Sequence, residues 1–173
     1  NDGGPFLNRE DVASSGTLMD VRVLNQRNRG PASARNAGVS KAKGQYLAFL
    51  DDDCVPSSEW LKGLAERTAR GDRCAVGGRT VNLLSDNPYA ATSQMMVDYL
   101  YGVMNERPEK ARFLATNNLA VPRDRFMAMG GFDPCFTHAA GEDRDFCRRW
   151  VQYGYPMVYV PEAVVFHAHD LRF

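Results

Sequence analysis

One short segment constrains the fold of this chain more than any other: a run of apolar residues that ends abruptly in three aspartates. Residues 46–50 read YLAFL and are followed by Asp51, Asp52 and Asp53. A continuous apolar run of this length is typical of a strand buried on both faces, as in parallel sheets covered by helices. In such sheets, ligands bind outside the carboxyl ends of the strands. The sequence therefore predicts an α/β domain with an acidic ligand site at the end of this strand.

Helical and strand-like patterns alternate around this run, which indicates a mostly parallel sheet. Pro31 near the start and Gly44 after the end mark the helix that precedes the run. The predicted helices cover residues 32–43, the stretch from Pro56 to Gly71, and residues 88–105, 123–129 and 142–153. The predicted strands cover residues 21–24, 46–50, 74–78, 80–84, 113–116, 119–121, 157–160 and 163–166.

The composition limits the class of protein. The 173 residues fit one domain with a substantial core. The 21 Lys and Arg balance the 21 Asp and Glu, which argues against a protein that binds bulk nucleic acid. Cys54, Cys74, Cys135 and Cys147 form no CxxC or zinc spacing, so we favour mostly buried, reduced thiols over a disulfide framework. No apolar run approaches the roughly 20 residues that span a bilayer, and no signal peptide is evident.

The three adjacent aspartates repel one another, so their charge needs compensation from solvent, hydrogen-bond donors or a cation. Mg²⁺ and Mn²⁺ prefer carboxylate oxygens and often bridge to substrate phosphates. The alternative is a solvated acidic turn in which Asp53 caps the helix that follows Pro56. Taken alone, the cluster favours neither interpretation, because short acidic motifs are common.

A second acidic cluster, Glu142, Asp143 and Asp145, falls in the first turn of a predicted helix. Acids there are favoured by the helix dipole and cap free N–H groups, which is one explanation. The other is that one of them is a general base beside an acceptor hydroxyl. Asp145 and Arg148 are three residues apart, so we predict an ion pair between them and a different role for Asp143.

A third feature is the pair His167 and His169, which share one face if residues 163–169 are extended. Both rings could then approach one ligand. For an isolated pair of this kind, a structural role is the more common outcome.

Taken in order, these features resemble the family 2 glycosyltransferases, whose fold is called GT-A. The matching segments are residues 1–3 (NDG), 30–38 (GPASARNAG), 42–53 (AKGQYLAFLDDD), 130–133 (GGFD), 141–143 (GED) and 160–167 (VPEAVVFH). The resemblance covers nearly the whole chain, and the ordered set is far more specific than any single motif.

The resemblance implies a Rossmann-like α/β fold with a mostly parallel central sheet flanked by helices and a smaller, mixed acceptor-side region. We therefore expect one domain over residues 1–173, with a nucleotide-binding part over about residues 1–85 and an acceptor part over about residues 86–173. The family opens with a strand, a helix and a second strand before the position of Asp2. We expect such a segment, or a strand from elsewhere, to complete the sheet.

The resemblance also implies roles for residues on the nucleotide side. Asp53 would ligate a divalent metal, Mn²⁺ or Mg²⁺, under the donor diphosphate. Asp51 and Asp52 would contact the ribose or the metal shell. Asp2 matches an aspartate that contacts the nucleobase, and Arg35 would lie close to the nucleotide.

Other roles fall on the acceptor side. Asp143 matches the general base that deprotonates the acceptor hydroxyl, and its neighbour Glu142 is assigned to substrate binding. His167 matches a histidine near the metal and phosphates. Asn117 and Asn118 lie where a segment facing the acceptor or the donor sugar is expected.

The implied reaction is an inverting transfer from a nucleoside-diphosphate sugar, with a UDP-sugar favoured, to a saccharide or lipid-linked acceptor. The implied setting is bacterial polysaccharide or glycoconjugate synthesis in the cytoplasm, with peripheral contact at the inner face of the membrane left open. A stripe on the predicted helix 88–105 is interpreted as core or acceptor-side packing; it consists of Met95, Met96, Tyr99, Leu100 and Val103.

Two other functions stay open. One is a nucleotidyltransferase acting on sugar phosphates, which also binds nucleotide phosphates through metal-binding acids on a parallel sheet. The segment from Gly141 to Asp143 argues against it, because phosphoryl transfer does not need that acceptor base. The other is a non-catalytic sugar-nucleotide-binding module, which the intact Asp143 and the intact aspartate cluster disfavour.

Overall fold

A computed structural model describes residues 1–12, 20–138, 141–168 and 170. His169, which the sequence pairs with His167, lies outside these residues. The helices are α1 (Arg9–Val12), α2 (Pro31–Lys41), α3 (Trp60–Thr68), α4 (Pro88–Met104), α5 (Arg123–Ala128) and α6 (Glu142–Gln152). The strands are β1 (Tyr46–Phe49), β2 (Cys54–Pro56), β3 (Ala75–Asn82), β4 (Leu119–Pro122) and β5 (Met157–His167).

The strands form one mixed sheet in the order β1-β4-β3-β5-β2. Only β3 and β5 run parallel among these neighbours, whereas β4 is antiparallel to β1 and β3, and β2 is antiparallel to β5. The expected α/β architecture is confirmed, but the prediction of a mostly parallel sheet is wrong for the described strands. The reason is that β4 enters between β1 and β3 in the opposite direction, and the alternation of elements along the chain does not reveal such an insertion.

The 11-residue strand β5 lies between β3 and β2 and pairs with both of them. It pairs with β3 along most of its length, with a register shift between Gly78 and Thr80. A side chain at Gly78 would place its Cβ 1.8 Å from the carbonyl oxygen of Ala163, so only glycine allows the two strands to approach there. The sequence predicts two separate strands here, over residues 74–78 and 80–84. The structure has one continuous strand, β3, which contains these glycines. Beyond this point β5 continues to His167 and pairs with β2.

Aromatic packing fixes α6 against β1. Phe132 lies between Phe126 of α5 and Phe146 of α6, with ring centroids 5.3 and 4.8 Å apart. Phe49 of β1 packs on Phe132 at 5.3 Å. Full burial of each such side chain contributes about 1.5–3 kcal/mol. The first turn of α6 is thereby held close to the end of β1, where the aspartates begin.

Helix ends follow local sequence signals. Gly30 has φ 84° and Pro31 begins α2, a combination that only glycine before proline adopts easily. Asn87 caps α4 by accepting hydrogen bonds from the backbone N–H groups of Tyr89 and Ala90. The predicted positions of α2 to α6 are confirmed to within a few residues.

Several local predictions are wrong. Residues 21–24 and 113–116 form no strand, and within the described residues the segment around Gln26 makes only a single bridge, with Asp2. β1 is not buried on both faces, because Ala48 is exposed, and among the described strands β1 lies at one edge of the sheet. The apolar run therefore predicts the strand correctly but not its surroundings.

The outer face of α4 is exposed rather than buried. Met95, Met96 and Tyr99 are 72%, 70% and 75% exposed, so the interpretation of this stripe as core is wrong. The stripe follows the helical spacing as predicted, but that spacing does not tell which face of a helix meets the sheet. No helix in the described part of the chain is both long and apolar enough to cross a membrane.

Candidate active site

The antiparallel pairing of β2 with β5 brings Asp53 and His167 together. Cys54, directly after Asp53, lies opposite His167 in the ladder, and the N–H of Ala168 donates to the carbonyl oxygen of Asp53 at 2.8 Å. The Nε2 atom of His167 lies 3.1 Å from Oδ2 of Asp53. Two residues 114 positions apart therefore share one polar site at the end of the sheet.

The ligand chemistry of this pair fits a divalent cation. A carboxylate and an imidazole are suitable ligands for Mn²⁺, and both side chains are partly open to solvent, 42% exposed for Asp53 and 23% for His167. Within the described residues, ligand atoms of Asp53, Cys54 and His167 all lie within 4.8 Å of one another. Open coordination positions would remain for oxygens of a substrate.

Arg35 links three elements around the site. Its guanidinium, on α2, donates to Oδ1 of Asp51 at 2.8 Å and to Oε1 of Glu142 at 2.7 Å. Burial lowers the pKa of Arg35, but the two carboxylates outweigh burial and raise its pKa overall. The aspartate turn and the start of α6 are thus connected through one partly buried cation.

A cavity of about 300 Å³ lies next to this network. Polar and charged side chains line much of it: Arg35, Asp51, Thr80, Asn82, Ser93, Gln94, Thr116, Asn117, Glu142, Asp143 and His167. Larger cavities lie beside the start of β1, at about 500 Å³, and between α4 and α6, at about 530 Å³. Neither contains the aspartates or His167, so we assign the smaller cavity as the candidate active site.

Asp143 borders this cavity in the first turn of α6. Burial raises its pKa above the ordinary value, and its Oδ1 accepts a hydrogen bond from the N–H of Arg144 at 2.7 Å. Asp145, in contrast, pairs with Arg148 at 3.0 Å and with Arg149 at 2.6 Å. The predicted Asp145–Arg148 ion pair is confirmed, and the two aspartates of α6 have different environments.

Two predicted nucleotide-side residues do not line the cavity. Asp2 accepts hydrogen bonds from the side chain of Gln26 and the N–H of Arg29, both at 2.9 Å. Burial acts to raise the pKa of Asp2, but its hydrogen bonds together outweigh burial and lower its pKa overall. Asp52 is exposed in the turn between β1 and β2. The structure therefore brings together Arg35, Asp51, Asn117, Glu142, Asp143 and His167 around the cavity, with Asp53 beside it.

The two asparagines after residue 116 differ sharply. Asn117 lines the cavity and accepts a hydrogen bond from Thr80 Oγ1 at 3.2 Å. Asn118 is fully buried and does not line the cavity, which favours a structural role over the predicted role in substrate binding. Its Oδ1 accepts from Trp60 Nε1 at 2.9 Å, and its Nδ2 donates to the carbonyl oxygens of Ala163 and Arg79. Asn118 therefore joins α3, β3 and β5.

Asn118→Ala is expected to lower the free energy of unfolding by about 3 kcal/mol, because buried partners on Trp60 and Ala163 each lose a hydrogen bond at about 1–3 kcal/mol, and the partly buried carbonyl oxygen of Arg79 loses a third. Urea denaturation measures this loss. The matched control is Asn117→Ala, which removes one hydrogen bond and should cost about 1 kcal/mol. Equal losses in the two variants would contradict the structural role of Asn118.

Sequence reasoning missed several cavity residues, notably Thr80, Asn82 and Gln94. Thr80 and Asn82 alternate along β3 and so share one face, which is a signal that the sequence contains. Gln94 donates to the carbonyl oxygen of Thr80 at 2.9 Å, so α4 closes the cavity against β3. That contact has no local sequence signal.

Comparison with known proteins identifies the family. The sequence profile of glycosyl transferase family 2 matches residues 10–135. The chain therefore belongs to glycosyl transferase family 2.

Relatives of described activity are consistent with this family. The chain is 30% identical over 160 residues to the pre-mycofactocin glycosyltransferase of Mycobacterium tuberculosis, which covers 89% of this chain and 33% of that protein. It is 25% identical over 207 residues to the chondroitin synthase of Escherichia coli, which covers 96% of this chain and 29% of that protein. The chain thus spans about a third of the length of these relatives.

Solved structures confirm the fold. The mannosyltransferase PcManGT from Pyrobaculum calidifontis, in complex with GDP-Man and Mn²⁺, superposes with a TM-score of 0.63 at 19% identity over 87% of this chain and 39% of that one. GalNAc-T7 with UDP, GalNAc and Mn²⁺ gives a TM-score of 0.64 at 19% identity over 86% of this chain and 32% of that one. Both neighbours are glycosyltransferases of the GT-A fold, so the chain has that fold.

Proposed function

We propose that this chain is the catalytic part of an inverting glycosyltransferase that moves a sugar from a nucleoside-diphosphate sugar, most simply a UDP-sugar, to an acceptor hydroxyl. One observation carries the proposal: Asp143, whose pKa is raised, borders the same cavity as His167, which contacts Asp53. A base and a metal-binding pair at one cavity are the two requirements for displacing a diphosphate by a hydroxyl.

The donor diphosphate is assigned to the end of the sheet. Asp53 and His167 would hold Mn²⁺ or Mg²⁺ there, and the cation supplies neutralisation of the charge on the leaving diphosphate. The neighbouring structures with UDP or GDP-Man and Mn²⁺ support this assignment, because they share the fold. Asp51 and Asp52 are assigned to the ribose or the metal shell, and Asp2 to the nucleobase.

Arg35 has a positioning role in this proposal. Its bonds to Asp51 and Glu142 hold the aspartate turn against α6, and its position on the cavity wall supports the proposed role beside the nucleotide. Glu142 is buried, and its Oε2 has no hydrogen-bond partner within the described residues. A buried acceptor without a donor is costly, so we assign Oε2 to a hydroxyl of the bound substrate.

The reaction centres on Asp143. Its carboxylate removes the proton of the acceptor hydroxyl as the oxygen attacks the anomeric carbon, and the diphosphate leaves from the opposite face. One such displacement inverts the anomeric configuration. Burial suits Asp143 for this role, because a carboxylate with a raised pKa is a stronger base than an ordinary one.

The acceptor is assigned to the α4 side of the cavity, where Asn117 and Gln94 offer polar contacts. We propose a saccharide or lipid-linked acceptor in polysaccharide or glycoconjugate synthesis, and the name of the chondroitin synthase supports the saccharide alternative. The exposed face of α4 is the surface on which we place any contact with a membrane-borne acceptor.

The test is a panel of nucleoside-diphosphate sugars incubated with the chain, with Mn²⁺ or with a chelator. Slow release of free nucleoside diphosphate from one donor, only with Mn²⁺, is expected. NMR of the sugar product then gives its anomeric configuration, which should be inverted. A nucleotidyltransferase would instead release pyrophosphate from a nucleoside triphosphate, and a non-catalytic module would bind the donor without turnover.

A further inference from the structure

Cys54 lies in the candidate metal site but has no role in the reaction proposed above. It begins β2 directly after Asp53 and faces His167 across the ladder. Its Sγ lies 3.6 Å from Oδ1 of Asp53, and ligand atoms of Asp53, Cys54 and His167 lie within 4.8 Å of one another. Two β-strands and their hydrogen bonds hold this arrangement, so it does not depend on an isolated loop.

The three ligand types differ in their metal preference. Mn²⁺ and Mg²⁺ take carboxylate, phosphate and water oxygens and have little use for sulfur. Zn²⁺ and Co²⁺ accept carboxylate oxygen, imidazole nitrogen and thiolate sulfur in one tetrahedral site, and three protein ligands leave the fourth position open. A metal ion that contacts all three residues would therefore be thiophilic.

We propose that Asp53, Cys54 and His167 together bind a thiophilic divalent cation such as Zn²⁺, with Cys54 Sγ as a ligand that Mn²⁺ and Mg²⁺ do not use. The proposal rests on the assignment of Asp53 and His167 to metal binding. The proposal also has a consequence for Mn²⁺: Zn²⁺ held by three protein ligands would compete with Mn²⁺ for Asp53 and His167.

The thiol must lose its proton on binding. In the metal-free protein, burial and the nearby carboxylates of Asp53 and Asp51 raise the pKa of Cys54 to about 12. A coordinated cation reverses this effect, since a thiol bound to a metal is ionised at neutral pH. The same burial keeps the unbound thiol protonated and unreactive.

Co²⁺ is the probe, because a thiolate ligand gives Co²⁺ an intense charge-transfer absorption that oxygen and nitrogen ligands do not. We expect this band in the wild type and its loss in Cys54→Ser, with Zn²⁺ competing for the band. The Cys54→Ser variant should bind Zn²⁺ at least about tenfold more weakly while keeping its Mn²⁺ affinity within about twofold.

The matched control is Cys74→Ser. Cys74 is also buried, and its Sγ also lies near a carboxylate, 3.4 Å from Asp72 Oδ1, but no histidine completes a described metal cluster there. The band should persist in Cys74→Ser. A band that survives in Cys54→Ser, or that disappears in Cys74→Ser, would overturn the proposal.

Mn²⁺ binding in the presence of UDP, measured on metal-free portions of the same preparations, separates the two proposals. Wild type that binds Mn²⁺ but shows no thiolate band with Co²⁺ would overturn the inference on Cys54 and leave the proposed function intact. Wild type that shows a band dependent on Cys54 but binds no Mn²⁺ with any nucleoside diphosphate would support the inference and contradict the metal assignment in the proposed function.

Discussion

Asp143→Asn is expected to reduce sugar transfer by about 10²–10⁴-fold, the usual contribution of a general base. The amide has nearly the same shape as the carboxylate but cannot accept the proton of the acceptor hydroxyl. Affinity for the nucleoside diphosphate with Mn²⁺ should stay within a few-fold of the wild type, because Asp51, Asp53 and His167 are unchanged. Transfer rates under saturating donor, together with calorimetric titration of UDP, measure the two effects.

The same variant, although it should be nearly inactive, is not expected to lose stability at neutral pH. Burial raises the folded-state pKa of Asp143 above 3.8, so the charged carboxylate opposes folding at neutral pH and the neutral acid does not. Asp143→Asn should therefore be at least as stable as the wild type at pH 7, and this difference should vanish below about pH 3.8. For the same reason, the wild-type transfer rate should fall as the pH drops through the raised pKa.

Asp145→Asn is the matched control on the same helix. Asp145 pairs with Arg148 and Arg149, so the variant should lose stability while transfer falls no more than a few-fold. If Asp143→Asn lost nucleotide binding in proportion to activity, or if Asp145→Asn were the more damaging change to the rate, Asp143 would not be the base.

Asp53→Asn is expected to lower transfer by at least about 10²-fold and to abolish the effect of Mn²⁺ on nucleotide binding. The substitution removes the carboxylate that, with His167, forms the proposed metal site. UDP affinity with and without Mn²⁺ gives the readout, and the two values should become equal in the variant.

Asp52→Asn provides the comparison for this second prediction. Asp52 is exposed beside Asp53 and does not line the cavity. The variant should keep the Mn²⁺ dependence of UDP binding and lose less than about tenfold in affinity. Loss of Mn²⁺ dependence in Asp52→Asn but not in Asp53→Asn would move the metal assignment from Asp53 to Asp52.

The sequence predicts much of the candidate site because chemistry leaves strong local marks. Acids at the end of an apolar strand and in the first turn of a helix are visible as patterns. The order of these motifs along the chain carried the resemblance to the family. The closeness of Asp53 and His167 is not visible in this way, since it depends on the antiparallel pairing of β5 with β2, which are far apart in sequence. Asn118 shows a different limit of sequence patterns. A polar residue next to a site in sequence can use its side chain for hydrogen bonds inside the protein, as Asn118 does with Trp60 and Ala163.

The fold was predictable to a lesser degree. Helices α2 to α6 follow from caps, prolines and apolar spacing, which act within a few residues. Strand direction and strand neighbours depend on contacts far apart in sequence, and so the insertion of β4 between β1 and β3 was missed. The stripe on α4 was wrongly interpreted as core for a similar reason, since periodicity shows that a helix face is apolar but not what covers that face.

The central claim is that Asp53 belongs to a cation-dependent site for a nucleoside diphosphate. The most direct test is the melting temperature of the chain with UDP, GDP and other nucleoside diphosphates, each with and without Mn²⁺. One of them at about 100 times its Kd should raise the melting temperature by about 5–10 °C, and only with Mn²⁺ present. An equal shift without the metal, or no shift with any nucleoside diphosphate, would contradict the account.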